Sequence, residues 1–311
     1  MNLRFVRMHA RSAVTRAARA RPFAVRRRPR RLTTVALGLA GVFLALLPSC
    51  AGAQTWRTLD VARQLQDSNA VAVKVQYGAG RLTLRGVEAP YLYRMQLRYD
   101  DERSKALAKW DAPSRTLTVG VDGSNMRWSG KKNEGGTMAL ALARTVPMDL
   151  SLDLGATEST LDLSGLRLRT LLIRSGASET KVRFDAASTT PMDRIEVDAG
   201  AAAFHASGLA NSGAAKVFVT GGVGFVELDF GGVWKRDMDL DVTLAVGGGE
   251  LTVPSDIGVR VSGQKTFGAY DFEGMREVGN GVWETSGFAD AKRKLTIKAT
   301  TTMGSLKIVR R

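Results

Sequence analysis

Residues that usually carry chemistry are scarce in this 311-residue chain. Cysteine occurs once, at Cys50. That excludes a disulfide framework and a cysteine-rich zinc site. Histidine occurs twice, and one of the two, His9, sits in the N-terminal segment. His205 is therefore the sole imidazole of the body, whereas a Ser-His-Asp or Cys-His centre needs a base beside its nucleophile. Aromatics make up 7%, and Trp56, Trp110, Trp128, Trp234 and Trp283 are scattered, too thin a supply for a sugar-stacking cleft. Apolar heptads and long amphipathic helical stretches are absent. No acid occurs in residues 1–50.

What is present begins with that first segment. Eleven arginines fall in residues 1–50, so the whole-chain charge of +15 leaves 34 basic against 30 acidic groups, +4, for the remainder. A body so nearly neutral offers no broad basic face for nucleic acid, and 44% hydrophobic content excludes a disordered chain. Val35–Leu47 is an uncharged apolar run of 13 residues, short of the roughly 20 that a spanning helix needs. Basic region, short apolar run and small residues after it form an export signal, with Met8 as an alternative start and Arg30-Arg31 as a poor twin-arginine match. Leu47-Pro48-Ser49-Cys50 has the layout of a lipobox, which makes Cys50 the expected lipidation site and the membrane a partner through that anchor. The competing site is Ala51-Gly52-Ala53, which would release a chain starting at Gln54.

After residue 70 the sequence repeats itself. VKVQYGAGRLTLRG (73–86), LDLGATESTLDLSG (152–165), LLIRSGASETKVRFD (171–185), IEVDAGAAAFHASG (195–208), VFVTGGVGFVELDFGG (217–232) and VTLAVGGGELTVP (242–254) each join two strand-like runs through a glycine. The anchors Gly155, Gly176, Gly200, Gly222 and Gly248 lie 21, 24, 22 and 26 residues apart. Leu150, Leu152 and Leu154 alternate with Ser151 and Asp153, as a half-buried strand requires. Glycine at each corner permits positive φ or close backbone approach. One such unit cannot bury its own apolar face, so units must stack. The expected class is all-β, a β-solenoid-like stack of coils of about 22 residues, with a twisted β-sandwich as the alternative. Short helices are expected at Leu59–Gln66 and Arg103–Lys109, and the basic end Arg293–Arg311 reads as a protected terminal edge.

Candidate chemistry is limited to a few patterns. Asp153, Asp162, Glu179, Asp198, Glu227, Asp229 and Glu250 fall at positions where carboxylates of neighbouring coils stack, and a glycosidase needs two about 5–10 Å apart. Asp237, Asp239 and Asp241 alternate along one run, a face that could bind calcium but reads better as a solvated one. The glycine-rich GGVGF and GGGE lack the GKS/T ending and following helix of a phosphate loop. Arg127–Lys132 (RWSGKK) mixes charge with Trp128 and reads as a solvated loop. No catalytic residue, metal site or cofactor site is assigned.

Residues 148–185, with the Gly-Ala strand pair and Leu-Ser-Gly-Leu turn, together with GGGELTVPSDIGVRV (247–261), resemble the LiaF-like, cell-wall-active-antibiotics-response group. VQYGAGRLTLRGVEAPYLYRMQLRYDD (75–101) is similar to the N-terminal module of the related bacterial toast-rack envelope proteins. The resemblance covers roughly residues 70–310 and implies an extracytoplasmic, non-enzymatic β-solenoid of the cell envelope, with envelope proteins or cell-wall polymer as partners. The division it suggests is an export signal (1–50), a linker (51–70), a toast-rack-like module (71–145) and a LiaF-like repeat domain (146–311). A periplasmic polysaccharide-active enzyme and a calcium-dependent adhesin-like module are the alternatives. The single export signal, in place of the membrane helices common in that group, puts a direct signalling role in doubt.

Overall fold

A computed structural model describes residues 55–122 and 135–311. The export signal, Cys50, both cleavage sites and the Arg127–Lys132 segment lie outside the described residues. Everything described belongs to one compact unit, Gly52–Arg311.

Among the described residues sixteen strands form one sheet: β1 (Trp56–Gln64), β2 (Val71–Val87), β3 (Tyr91–Asp100), β4 (Lys105–Asp111), β5 (Thr116–Asp122), β6 (Gly136–Ala143), β7 (Pro147–Asp162), β8 (Arg167–Ser175), β9 (Glu179–Arg183), β10 (Met192–Ser207), β11 (Ala214–Asp229), β12 (Met238–Val253), β13 (Gly258–Phe272), β14 (Met275–Gly279), β15 (Val282–Thr285) and β16 (Lys294–Arg310). The longest strands run across two faces, and the sequence shows where they fold. In β7 the buried residues are Met148, Leu150, Leu152 and Leu154, then Thr157, Ser159 and Leu161. In β10 they are Ile195, Val197 and Ala199, then Ala202, Phe204 and Ala206. The buried parity switches at the glycine corner, so side chains of the two halves of each strand point toward each other. One void lined by Ile173, Val197 and Val219 from first halves and by Val182, Phe204 and Leu228 from second halves confirms that both halves share a core. The strands stack in parallel register, β2–β7–(β8, β9)–β10–β11–β12–β16–β13. This is the expected stack of short coils.

The corner is crowded because backbones approach one another there. A Cβ on Gly155 would run into the carbonyl oxygen of Gly78. Gly247 has φ +128 and faces the carbonyl oxygen of Gly224 in the same way. Gly248 is not the equivalent of the earlier anchors. Its partner is Phe225; Ala245 stands opposite the anchor Gly222, and Gly247 pairs with Gly224.

The two ends are closed differently. At the N-terminal end β2 passes its first half to β5 and then β4, and its second half to β6, β3 and β1. Residues 56–64, expected within a linker and partly as a helix, form β1, an edge strand paired with β3. Residues 105–111 form the edge strand β4 rather than a helix. Arginines lie over the tryptophans of both edge strands, Arg98 above Trp56 (3.9 Å) and Arg63 above Trp110 (4.6 Å). The division expected at 145/146 is bridged, since β2 and β7 pair along most of their lengths.

At the C-terminal end β15 and β14 fold back antiparallel on β13. Tyr270, Phe272 and Trp283 close the core there, with centroids 5.0–5.8 Å apart. The last strand of the chain is not an edge. β16 lies between β12 and β13, and Arg310 Nη2 donates to the carbonyls of Ser255 (2.9 Å) and Ile257 (2.7 Å). Its basic residues therefore serve lateral pairing instead of protecting a terminus.

Candidate functional site

Parallel in-register stacking converts a sequence position into a row of side chains about 4.8 Å apart. Two residues before the corner, the row on one face reads Asp153, Arg174, Asp198, Thr220, Thr243 and Thr300. Arg174 stands between two carboxylates, with Nη1 3.5 Å from Asp153 Oδ1 and Nε 3.8 Å from Asp198 Oδ2. Beside them the corner of β7 to β11 forms an open groove of about 720 Å³, floored by Gly155, Gly176, Gly200 and Gly222. Ser175 also lines it, and its buried Oγ has no hydrogen-bond partner. The neighbouring buried hydroxyls differ, because Thr157 and Ser159 hydrogen-bond each other at 2.9 Å.

Sequence reasoning brought the seven acids together as a carboxylate surface and overlooked Arg174. The structure interleaves them with bases. Asp162 meets Arg183 Nη2 at 2.9 Å, Glu179 meets Lys181 at 2.6 Å, and Glu227 Oε2 lies 2.8 Å from His205 Nδ1. Glu250 neighbours Glu227 on one side and Lys307 on the other, and Asp229 accepts from the backbone N–H of Gly231. Lys181 holds Glu179 below the ordinary carboxylate range. Burial pushes Asp162 up, but hydrogen bonds from Ser164 and Arg183 outweigh it and the net shift is downward. Neither is the protonated acid that a glycosidase requires. His205, the body's one imidazole, is engaged in its surface pair with Glu227 on one face of β10 and β11.

Asp239 and Asp241 do share a face of β12, where Asp241 pairs with Lys298 at 3.5 Å. Asp237 precedes the strand and accepts from the Lys294 N–H. Among the described residues no three His, Cys, Asp or Glu side chains gather as a metal would need. The repeat alignment held the signal for the missed residue: Asp-Leu-Gly, Arg-Ser-Gly and Asp-Ala-Gly occupy the same place in three successive units.

Residues 52–206 match the N-terminal domain of toast_rack, DUF2154. The chain belongs to the toast-rack family. The match begins inside the segment expected as a linker and runs through 145/146, in keeping with the continuous sheet. Among solved structures, this toast-rack chain has a likeness to a candidate cell adhesion protein from Clostridium sporogenes, at 16% identity and TM-score 0.43, covering 82% of this chain and 100% of that one. A candidate adhesin from Bacteroides fragilis matches at 11% identity and TM-score 0.36, over 82% of this chain and 98% of its own. A candidate lipid-binding protein from Parabacteroides distasonis matches at 10% identity and TM-score 0.33, over 83% and 98%. No curated protein matches the chain in sequence.

Proposed function

We propose that this toast-rack protein is an exported bacterial envelope component, lipidated at Cys50 and facing the periplasm or cell surface, which binds and does not catalyse. Its stack is a rigid support, and the corner groove beside Asp153, Arg174 and Asp198 is the seat for an envelope protein or cell-wall polymer, in a role tied to envelope stress. The observation that carries this reading is the groove itself. It combines loosely held charges with bare backbone, whereas Asp162, Glu179 and Glu227 each lie within 3 Å of a base.

A photo-crosslinking residue in place of Thr220, at the groove, should capture a neighbour in intact cells that the same residue in place of Lys74 does not. Equal capture at both positions would sink the groove assignment. Release of sugar fragments from peptidoglycan or a uronate polymer, abolished by Asp153→Asn or Asp198→Asn, would replace binding with catalysis. Lipidation is checked by detergent partition, where a Cys50→Ser chain that stays in the detergent phase would refute it.

A further inference from the structure

The residue at the tip of the corner changes character along the stack. Ala79, Ala156 and Ala201 occupy it in the early coils, and in the same row Val223, Val246, Met303 and Phe267 occupy it in β11, β12, β16 and β13. These four are exposed by 58%, 44%, 55% and 72%. They project from the bend of the sheet, so they form a convex apolar row and not a pocket. Packing does not demand their size, because Ala79 fills the same place in β2, where the next residue, Gly80, has a positive φ as Gly224 and Gly247 do. A contiguous exposed apolar row without a structural reason marks a contact surface.

We propose that this row is a membrane-contact edge, seated shallowly in the interfacial layer of a lipid bilayer. Three features select that occupant. First, the corner segments 220–225, 243–249, 299–306 and 263–270 contain one charged residue, Lys265, so little charge has to be desolvated when the edge enters the interface. Second, the flanking row on the same edge is Thr220, Thr243 and Thr300, hydroxyls placed to stay hydrogen-bonded at headgroup depth while the apolar tips go deeper. Third, a second copy of this chain is a poor occupant. The exposed area of the four side chains is on the order of 400 Å², about half of the ~800 Å² each partner gives to a stable dimer, and two convex rows meet along a line. A bilayer conforms to such an edge. The assignment stands on the corner geometry and does not depend on a lipid at Cys50.

The test uses the compact body Gly52–Arg311, so that neither an acyl chain nor the arginine-rich apolar leader contributes, mixed with vesicles of phosphatidylethanolamine and phosphatidylglycerol or of phosphatidylcholine alone. The protein should sediment with both, and added salt should change little, because the contact is apolar. Val223→Ser, Val246→Ser, Met303→Ser and Phe267→Ser combined should lower binding about tenfold or more, with the circular dichroism spectrum kept. Should that variant fail to fold, Met303→Cys gives a second readout, since the body has no other cysteine: an environment-sensitive fluorophore attached there should shift to the blue with vesicles and be quenched by brominated acyl chains. No sedimentation of the parent, equal binding by the four-fold variant, loss of binding in salt, or an unquenched reporter would each overturn the proposal. So would a dimer of the parent, seen by analytical ultracentrifugation, that the four-fold variant dissolves.

Discussion

In the coils of β7, β8–β9 and β10 the chain turns with a glycine placed before an alanine; in those of β12, β16 and β13 it turns with a bulky apolar residue placed before a glycine. β2 and β11 carry glycine on both sides of the tip. Both arrangements meet the same demand, which is to let one backbone pass close to the carbonyl oxygen of the coil beside it. Apart from Gly155, whose Cβ would also strike a carbonyl oxygen directly, they differ in severity. Gly176 and Gly200 have no positive φ, and a Cβ there would lie 3.1 Å and 3.3 Å from the nearest carbonyl oxygen. Gly247 combines a positive φ with a direct clash. One fold thus tolerates two corner chemistries, and the larger tip residues appear only with the stricter one.

The sharpest way to break the comparison is a matched pair of substitutions. Gly247→Ala should destabilise the protein by about 3–5 kcal/mol, from backbone strain plus overpacking, whereas Gly200→Ala should cost about 1 kcal/mol or less. Urea denaturation followed by circular dichroism distinguishes the two, and equal costs would mean that the corners are equivalent. A smaller contrast is expected between the end caps. Trp283→Ala removes the centre of an aromatic cluster closing the core and should cost about 2–4 kcal/mol. Trp110→Ala, on an edge strand under Arg63, should cost about 1–2 kcal/mol. Amide exchange should rise in β13 in the first variant and in β4 in the second.

Smaller still is the groove. Arg174→Ala breaks two long, solvent-exposed ion pairs and should change stability by no more than about 1 kcal/mol, which makes it a clean probe of binding.

The least effect concerns acid. Hydrogen bonds from Arg94 and then Gln96 hold Asp60 at about 2 against an ordinary 3.8. A lowered native pKa contributes stability that is complete above 3.8 and is lost as pH falls toward about 2. Melting should therefore be steady from neutral pH to about 5 and decline below that, with Asp60→Asn flattening the lowest part of the curve.

Much of the body was legible in the residues. Leu150, Leu152 and Leu154 alternate in the sequence and are buried as a row, and the Gly-Ala pairs mark real corners. What escaped were features set by distant partners. Leu59–Gln66 and Arg103–Lys109 hold good helix formers at plausible spacing, yet both regions are half-exposed edge strands fixed by β3 and β5; tertiary pairing outweighs local propensity there. The acids stack as expected, but β8 and β9 set Arg174, Lys181 and Arg183 among them, so adjacency in the stack became neutralisation. Gly248 was taken as an anchor because glycines run together at 247–249, and register alone shows that Ala245, opposite Gly222, holds the place.

The position of β16 between β12 and β13 bears on how the protein is made. Until its final strand arrives, β12 and β13 each keep one side unpaired, and the C-terminal part of the sheet has a gap where Leu295, Ile297, Leu306 and Ile308 belong. The coils from β7 to β12 add in chain order and are free to assemble as the chain emerges, while the sheet beyond β12 waits for β16. A chain truncated before Lys294 would display two open parallel edges, a template for aggregation or proteolysis. β16 therefore acts as a keystone, since the rack cannot close between β12 and β13 until it is in place.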